Sequence, residues 1–84
     1  MLTKEMLGYR IVFLPVPNGY SVTVSDNRKS KTIPLLPDEE QVTRAIESLD
    51  RMPIDPNIAF EFFCMIVAGC LMTKMKRSIG DRSI

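Results

Sequence analysis

Apolar and polar residues alternate along much of the first half of the chain, and this period of two predicts β-strands. The alternation is clearest in residues 20–25, where Tyr20, Val22 and Val24 are separated by serine and threonine. An apolar segment of similar length precedes them, and "PNG" at residues 17–19 lies between the two segments. Proline, asparagine and glycine favour tight turns, so the pattern predicts a β-hairpin.

The register of this hairpin depends on its prolines, because proline has no backbone N–H to donate to a neighbouring strand. A three-residue loop at residues 17–19 pairs Pro15 with Ser21, at a position where no N–H is required. We therefore predict this register. Its core face is wholly apolar and carries Val12, Leu14, Val16, Tyr20, Val22 and Val24. Its other face carries Ile11, Phe13, Pro15, Ser21, Thr23 and Ser25.

A third strand is predicted within residues 31–36, after a turn rich in serine, aspartate and asparagine. Pro34 indicates that this strand lies at an edge of the sheet, since proline interrupts strand pairing. The predicted antiparallel meander therefore covers residues 9–36. Residues 1–8 are predicted to form an N-terminal turn or arm, with one helical turn that ends at Gly8.

Residues 37–51 have the spacing of an amphipathic helix. Its apolar stripe is narrow and consists of Val42, Ala45, Ile46 and Leu49. Asp38, Glu39 and Glu40 fall in the first turn, where acidic side chains match the helix dipole. The same acids could also form a catalytic or metal-binding carboxylate pair, but no further ligand lies near them in the sequence.

A second helix is predicted over residues 55–79, with Asp55 as its N-cap and Pro56 as its first residue. A flexible tail is predicted at residues 80–84. No residue from Phe62 to Met72 is polar, so this helix is apolar on all sides and is the hydrophobic spine of the predicted fold. The fold class is thus α+β: a three-stranded antiparallel meander followed by two helices, in the order βββαα.

A helix that is apolar on all sides has three explanations. A membrane span needs about 20 apolar residues, which is longer than the segment from Phe62 to Met72. Complete burial within one chain requires more cover than three short strands and one helix supply. The third explanation, which we favour, is an interface, and a two-fold homodimer is its simplest form.

The composition allows one small domain and little chemistry. The chain has 84 residues, a net charge of +1, two cysteines and no histidine. Cys64 and Cys70 lie in the most apolar segment, so we expect two buried thiols in a reducing, cytoplasmic environment. The N-terminus does not have the layout of a signal peptide.

The missing histidine rules out nucleophiles that a histidine activates. Neither a glycine-rich phosphate loop nor a metal-ligand spacing is present in the sequence. We therefore expect no catalytic residues, no metal and no cofactor, and a protein that is not an enzyme.

Basic residues gather at the second turn, as Arg28, Lys29 and Lys31, with Arg10 near the same end of the sheet. They are candidate phosphate contacts, although such clusters are most often solvated. The order of strands and helix from Tyr9 to Asp50, through "GYSVTVSDNRKSKTI", resembles small sheet-reading DNA-binding domains of plant transcription factors and of phage integrase arm-binding domains. Those families read DNA with arginines and aromatic side chains on the open sheet face, and the predicted face here has no arginine.

These patterns predict a non-enzymatic protein-binding module that forms a homodimer and binds another protein, as do the small inhibitors and adaptors that phages and plasmids encode. The predicted dimer or partner interface consists of Phe60, Phe63, Cys64, Val67, Ala68, Leu71 and Met75. A second predicted protein-binding strip consists of Ile11, Phe13 and Pro15. The alternative is a dimeric nucleic-acid-binding protein that uses the basic turn from Arg28 to Lys31.

Overall fold

The structure is a computed structural model that describes residues 1–72, and it has a four-stranded antiparallel sheet with two helices on one face. The strands follow one another across the sheet in the order β1-β2-β3-β4. The elements are β1 (Leu2–Met6), β2 (Tyr9–Val16), β3 (Gly19–Ser25), β4 (Ser30–Ile33), α1 (Glu39–Arg51) and α2 (Phe60–Leu71). The α+β class is confirmed, and the prediction of three strands was wrong by one. The predicted helix end at 73–79 and the tail at 80–84 lie outside the described residues.

The additional strand is β1, where a helical turn had been predicted. It pairs with β2 through a two-residue turn, in which Leu7 and Gly8 both have positive φ angles, of 55° and 80°. This turn type suits the twist of a hairpin, although it strains a residue such as leucine. Lys4 faces the helices and forms an ion pair with Asp50 at the end of α1, which ties the edge strand to the helical layer.

The predicted register between β2 and β3 was wrong by one residue. Val16 pairs with Gly19, so the loop has two residues, and Phe13 pairs with Val22. Pro15 still avoids a position that needs an N–H, because it lies next to the hydrogen-bonded pair that closes the loop. The shift places a different set of β2 residues on the core face.

The β3 half of the predicted core face is confirmed, whereas the β2 half is reversed. Val22 and Val24 are fully buried, and so are Ile11 and Phe13, which had been assigned to the outer face. Leu14, which had been assigned to the core, is 48% exposed. The outer face of the sheet therefore carries a short apolar ridge of Val12, Leu14 and Val16, bordered mostly by serine and threonine.

The edge strand β4 ends before Pro34, as the proline requires, and the chain then passes to α1 through Pro37. The carbonyl of Pro37 accepts a hydrogen bond from the N–H of Tyr20 at 3.0 Å. A side chain at Gly19 would place its Cβ only 2.6 Å from the same carbonyl oxygen. Glycine is therefore required there by a close approach as well as by its φ of 142°.

Helix α1 begins two residues after the predicted start because Asp38 is its N-cap. The Asp38 carboxylate accepts a hydrogen bond from the N–H of Gln41 at 2.8 Å, and the Gln41 side chain accepts one from the N–H of Asp38 at 3.0 Å. This reciprocal arrangement is a capping box, which satisfies two backbone donors at the helix start. The predicted stripe is confirmed, since Val42, Ala45 and Leu49 are buried.

Gln41 also connects the two helices. Its side-chain amide donates a hydrogen bond to the carbonyl of Leu71, at the C-terminal end of α2, at 3.2 Å. One side chain therefore caps the start of α1 and satisfies a carbonyl at the end of α2. This fixes the two helices antiparallel, with the start of one beside the end of the other.

Replacing Gln41 with alanine is expected to lower the free energy of unfolding by about 1–2 kcal/mol, because two hydrogen bonds are lost. Urea denaturation followed by circular dichroism measures this change. Glu47→Ala, on the exposed side of the same helix, is the control and should change stability by about 0.5 kcal/mol or less. A Gln41→Ala variant as stable as the parent protein would contradict this role.

Helix α2 begins at Phe60, five residues after the predicted start at Asp55. The Asp55 carboxylate accepts a hydrogen bond from the N–H of Asn57 at 2.9 Å, and its carbonyl accepts one from Ile58 at 3.0 Å. These bonds close a separate turn. The Tyr9 hydroxyl donates to the carbonyl of Ile58 at 2.8 Å, so this carbonyl is held by the sheet.

Candidate protein interface

The outward surfaces of the two helices differ sharply in chemistry. Helix α1 presents charged side chains, including the ion pair of Arg44 with Glu40 at 3.1 Å. Helix α2 instead presents Phe62 and Met65, which are 63% and 67% exposed. Exposed aromatic and methionine side chains in one stripe mark a contact surface more often than a solvated one. This outward side of α2 is the candidate interface.

We call this surface the α2 stripe; it consists of Phe62, Met65, Gly69 and Met72. All four residues are exposed, and their spacing of three, four and three residues keeps them on one side of the helix. Leu36, which is 55% exposed, lies beside the stripe at its Met72 end. A groove of about 210 Å³ connects them and is lined by Leu35, Leu36, Pro37, Gln41, Leu71 and Met72.

The residues predicted for the interface lie mostly on the opposite side of α2, so this prediction was wrong in its placement. Phe60, Phe63, Cys64, Val67 and Leu71 are all buried within the domain core. Ala68 is half-buried, and Met75 lies outside the described residues. The helix is rotated relative to the prediction, because its most apolar side packs on the sheet.

Tyr9 helps to set this rotation. Its ring stacks on Phe63 with centroids 4.7 Å apart and planes inclined by 18°, and it contacts Phe60 at 5.9 Å. Its hydroxyl holds the residue two positions before the helix, Ile58. With Phe60 and Phe63 turned towards the sheet, Phe62 points away from it. Periodicity alone missed this contact, because the sequence has apolar residues on every side of the helix.

The second predicted strip is also misplaced. Ile11 and Phe13 are completely buried and face the helices, so they do not offer a surface to a partner. Pro15 is exposed, at the end of the hairpin. The exposed apolar residues of β2 are instead those of the outer ridge, of which Leu14 is the most accessible.

The candidate phosphate contacts do not converge on one surface. Arg10 lies on the outer sheet face and forms an ion pair with Glu5 at 2.8 Å. Lys31 lies on the helix side of the sheet, and the Lys29 ammonium lies 5.2 Å from the centroid of the Phe60 ring. Cations on opposite faces of a sheet are poorly placed to follow one nucleic-acid backbone.

The turn that carries Arg28 and Lys29 is organised by Asp26. Its carboxylate accepts hydrogen bonds from the backbone N–H groups of Arg28 and Lys29, both at 2.8 Å. These bonds favour the charged form and lower the pKa of the Asp26 carboxyl below its usual value. The aspartate therefore has a structural explanation, as the residue that closes the turn.

Both cysteines are free and buried in the core. Burial raises the pKa of the Cys64 thiol and of the Cys70 thiol, because a thiolate is poorly solvated there. Within residues 1–72 no group of acidic or sulfur ligands is arranged to hold a metal ion. Over the same residues, no helix combines the length and apolarity that crossing a membrane requires.

A concave region of about 510 Å³ lies at one end of the sheet, and it contains the Glu5–Arg10 pair. It is formed by the turns at Gly8 and at Asp26–Asn27. Glu5 and Arg10 are exposed and pair with each other, and Asp26 is engaged by the turn, so the geometry of this region does not single out a reaction. No protein-family model, curated protein or solved structure matches this chain.

Proposed function

We propose that this protein is a non-enzymatic protein-binding module that acts as a homodimer, and that the α2 stripe forms the seam between the two copies. The observation that carries the proposal is the exposure of Phe62 and Met65 on a helix whose neighbour, α1, is polar on the same side. Burying such side chains contributes about 25 cal/mol per Å² of apolar surface removed from water. Association therefore has a clear driving force.

A second copy is the partner that this surface fits best, for two reasons. The stripe lacks charged residues, so it offers no electrostatic selection for a partner of opposite charge. A small domain is also stabilised by association, because it buries a modest share of its surface when it folds alone. Two-fold homodimers are the commonest oligomers and bring identical patches together.

As an inhibitor or adaptor, the module would then bind its target protein through a different surface. In a dimer joined through α2, the outer faces of both sheets point away from the seam. The ridge of Val12, Leu14 and Val16 lies there, with polar serine and threonine around it. An apolar centre with a polar rim is the usual organisation of a protein-binding surface, and it supports the role of an inhibitor or adaptor.

Replacing Met65 with aspartate is expected to convert the dimer into a monomer without unfolding the domain. The side chain is 67% exposed, so a charge there is tolerated by the isolated chain and is buried only in the seam. Light scattering at micromolar concentration gives the mass, and circular dichroism checks the fold. Glu47→Ala, on the exposed side of α1, is the control and should remain dimeric. A dimer that tolerates Met65→Asp would contradict this seam.

The salt dependence of DNA binding distinguishes the nucleic-acid alternative from the proposed function. A protein that neutralises phosphates with lysine and arginine loses affinity steeply as salt increases. Because Arg10 lies on the outer face of the sheet and Lys31 lies on the helix side, we expect no measurable complex with duplex DNA at about 0.15 M ionic strength. Fluorescence anisotropy with a labelled duplex measures this. Tight binding that is lost in Arg28→Ala and Lys31→Ala would favour the alternative.

A further inference from the structure

The spacing of the α2 stripe is symmetric about position 67. Phe62 and Met72 lie five residues on either side of it, and Met65 and Gly69 lie two residues on either side. A second copy of the helix running in the opposite direction therefore presents the same spacing. In that register Met65 faces Gly69 of the partner subunit, and Phe62 faces Met72 of the partner subunit.

The side chains that meet in this register differ in size in the way that close packing requires. Gly69 is exposed, and among residues 1–72 a Cβ built on it would meet no atom within 4 Å beyond the backbone of its own helix. The described part of the domain therefore supplies no packing reason for glycine, which is among the least favourable residues inside a helix. A methionine from a second helix fills such a gap well, because it is long, unbranched and adaptable.

The ends of the stripe are complementary as well. At one end, the Phe62 ring projects into solvent. At the other end, the groove beside Met72 is apolar in most of its lining and has a volume of about 210 Å³. The groove is formed by the loop before α1 as well as by α2, so it widens the contact beyond a single helix. A stable interface needs this width, since each partner typically buries about 800 Å².

Electrostatics favour an antiparallel arrangement of the two copies of α2. Helix dipoles attract when helices run antiparallel and repel when they run parallel. Packing α2 antiparallel on its own copy therefore sets the two dipoles in the favourable direction.

We propose that two copies pack α2 against α2 antiparallel, about a two-fold axis at position 67, so that Phe62 of each copy inserts into the groove beside Leu36 and Met72 of the partner subunit. This inference rests on the proposed homodimer and specifies its geometry. Each copy then inserts its own Phe62 ring and accommodates the Phe62 ring of the other copy. The seam is then specific for a second copy of this chain. Phe62 and the groove beside Met72 lie ten residues apart on α2, and only an antiparallel copy presents the same pair in reverse order.

Chemical cross-linking tests the direction of the helices. The variant Phe62→Cys/Met72→Cys carries two new thiols separated by ten residues, or about 15 Å along one helix. A bismaleimide shorter than this distance cannot join them within one chain, but it joins them between antiparallel copies. We expect a covalent dimer on a denaturing gel when the reaction is run at a concentration where light scattering gives the mass of a dimer, which compensates for the lost Phe62 ring. Phe62→Cys alone should give none, because the two copies of position 62 are then also about 15 Å apart.

A second pair of variants tests the groove without altering α2. Leu36→Asp is expected to raise the dimer dissociation constant at least tenfold, because the charge would lie against the inserted Phe62 ring. Leu14→Asp is the matched control, since Leu14 is similarly exposed but lies on the outer sheet face. It should leave the dissociation constant unchanged, and sedimentation or light scattering across a dilution series measures both.

The outcomes separate this inference from the proposed function. Efficient cross-linking of Phe62→Cys alone, in a protein with the mass of a dimer, would overturn the antiparallel geometry and leave the homodimer intact. Equal effects of Leu36→Asp and Leu14→Asp would overturn the insertion of Phe62 into the groove. A parent protein that remains a monomer at high micromolar concentration would overturn both the geometry and the proposed function.

Discussion

Replacing Phe63 with alanine is expected to lower the free energy of unfolding by about 3–5 kcal/mol. The Phe63 side chain is completely buried, and its ring stacks on Tyr9. The substitution removes these contacts and leaves a cavity that the rigid sheet closes only in part. Since small domains have a total stability of about 5–15 kcal/mol, this one change removes a large share of it.

The neighbouring residue is the matched control, because Phe62 has the same side chain and occupies the next position of the same helix. It is 63% exposed, so Phe62→Ala should change monomer stability by about 0.5 kcal/mol or less. Urea denaturation at a single low protein concentration compares the two variants without a contribution from association. A larger loss for Phe62→Ala than for Phe63→Ala would mean that α2 is rotated towards the interface predicted from the sequence.

The second large effect is expected at Phe13 in β2, where alanine should also cost about 3–5 kcal/mol. Phe13 is completely buried, and Val22 lies opposite it on β3. Truncating its side chain opens a cavity between the sheet and the helical layer. The midpoint of chemical denaturation measures the loss, provided that the slope of the transition is unchanged.

Leu14 is the control for this substitution, since it is the next residue on the same strand and is half-exposed on the outer face. Leu14→Ala should therefore lower stability by about 1 kcal/mol or less. The two variants also distinguish the two registers of the hairpin. If Leu14→Ala proved the more damaging, the core face would be the one predicted from the sequence, and the pairing of β2 with β3 would have to shift by one residue.

The hairpin shows how far alternation can be used. In β3, apolar and hydroxyl side chains alternate strictly, so its core face could be predicted from the sequence. In β2, both faces are apolar from Ile11 to Leu14, and alternation does not distinguish them. The register then depended on the loop, and two loop lengths each accommodate the prolines. The observed loop also lets Tyr20 bond to Pro37, a contact between distant residues that no local pattern reveals.

The second helix shows a similar limit. Its apolar character predicted that the domain would leave part of it uncovered, and Phe62, Met65 and Met72 are indeed exposed. Which side is uncovered depends on how Tyr9 orients the helix start, and hydrophobic periodicity carries no such information when every side is apolar. The presence of uncovered apolar surface on α2 was therefore predictable, whereas its location was not.

The two remaining differences arise from turns. The segment before Gly8 was predicted to form a helical turn, with Thr3 as its cap and Gly8 as its end. It instead pairs with β2 through a turn in which Leu7 has positive φ, a conformation that sequence rules disfavour for leucine. At the start of α2, Asp55 has the residue type of an N-cap but closes a separate turn. In both places a tertiary contact overrides the local preference, through Lys4 with Asp50 and through Tyr9 with Ile58.

The mass of the unmodified protein in solution tests the central claim, which is that α2 carries an apolar stripe that a second copy covers. Light scattering coupled to size-exclusion chromatography, over a dilution series in the micromolar range, gives this mass directly. We predict twice the 9.5 kDa of one chain, with dissociation only on dilution. A mass of one chain at every concentration, with the fold intact by circular dichroism, would contradict the claim.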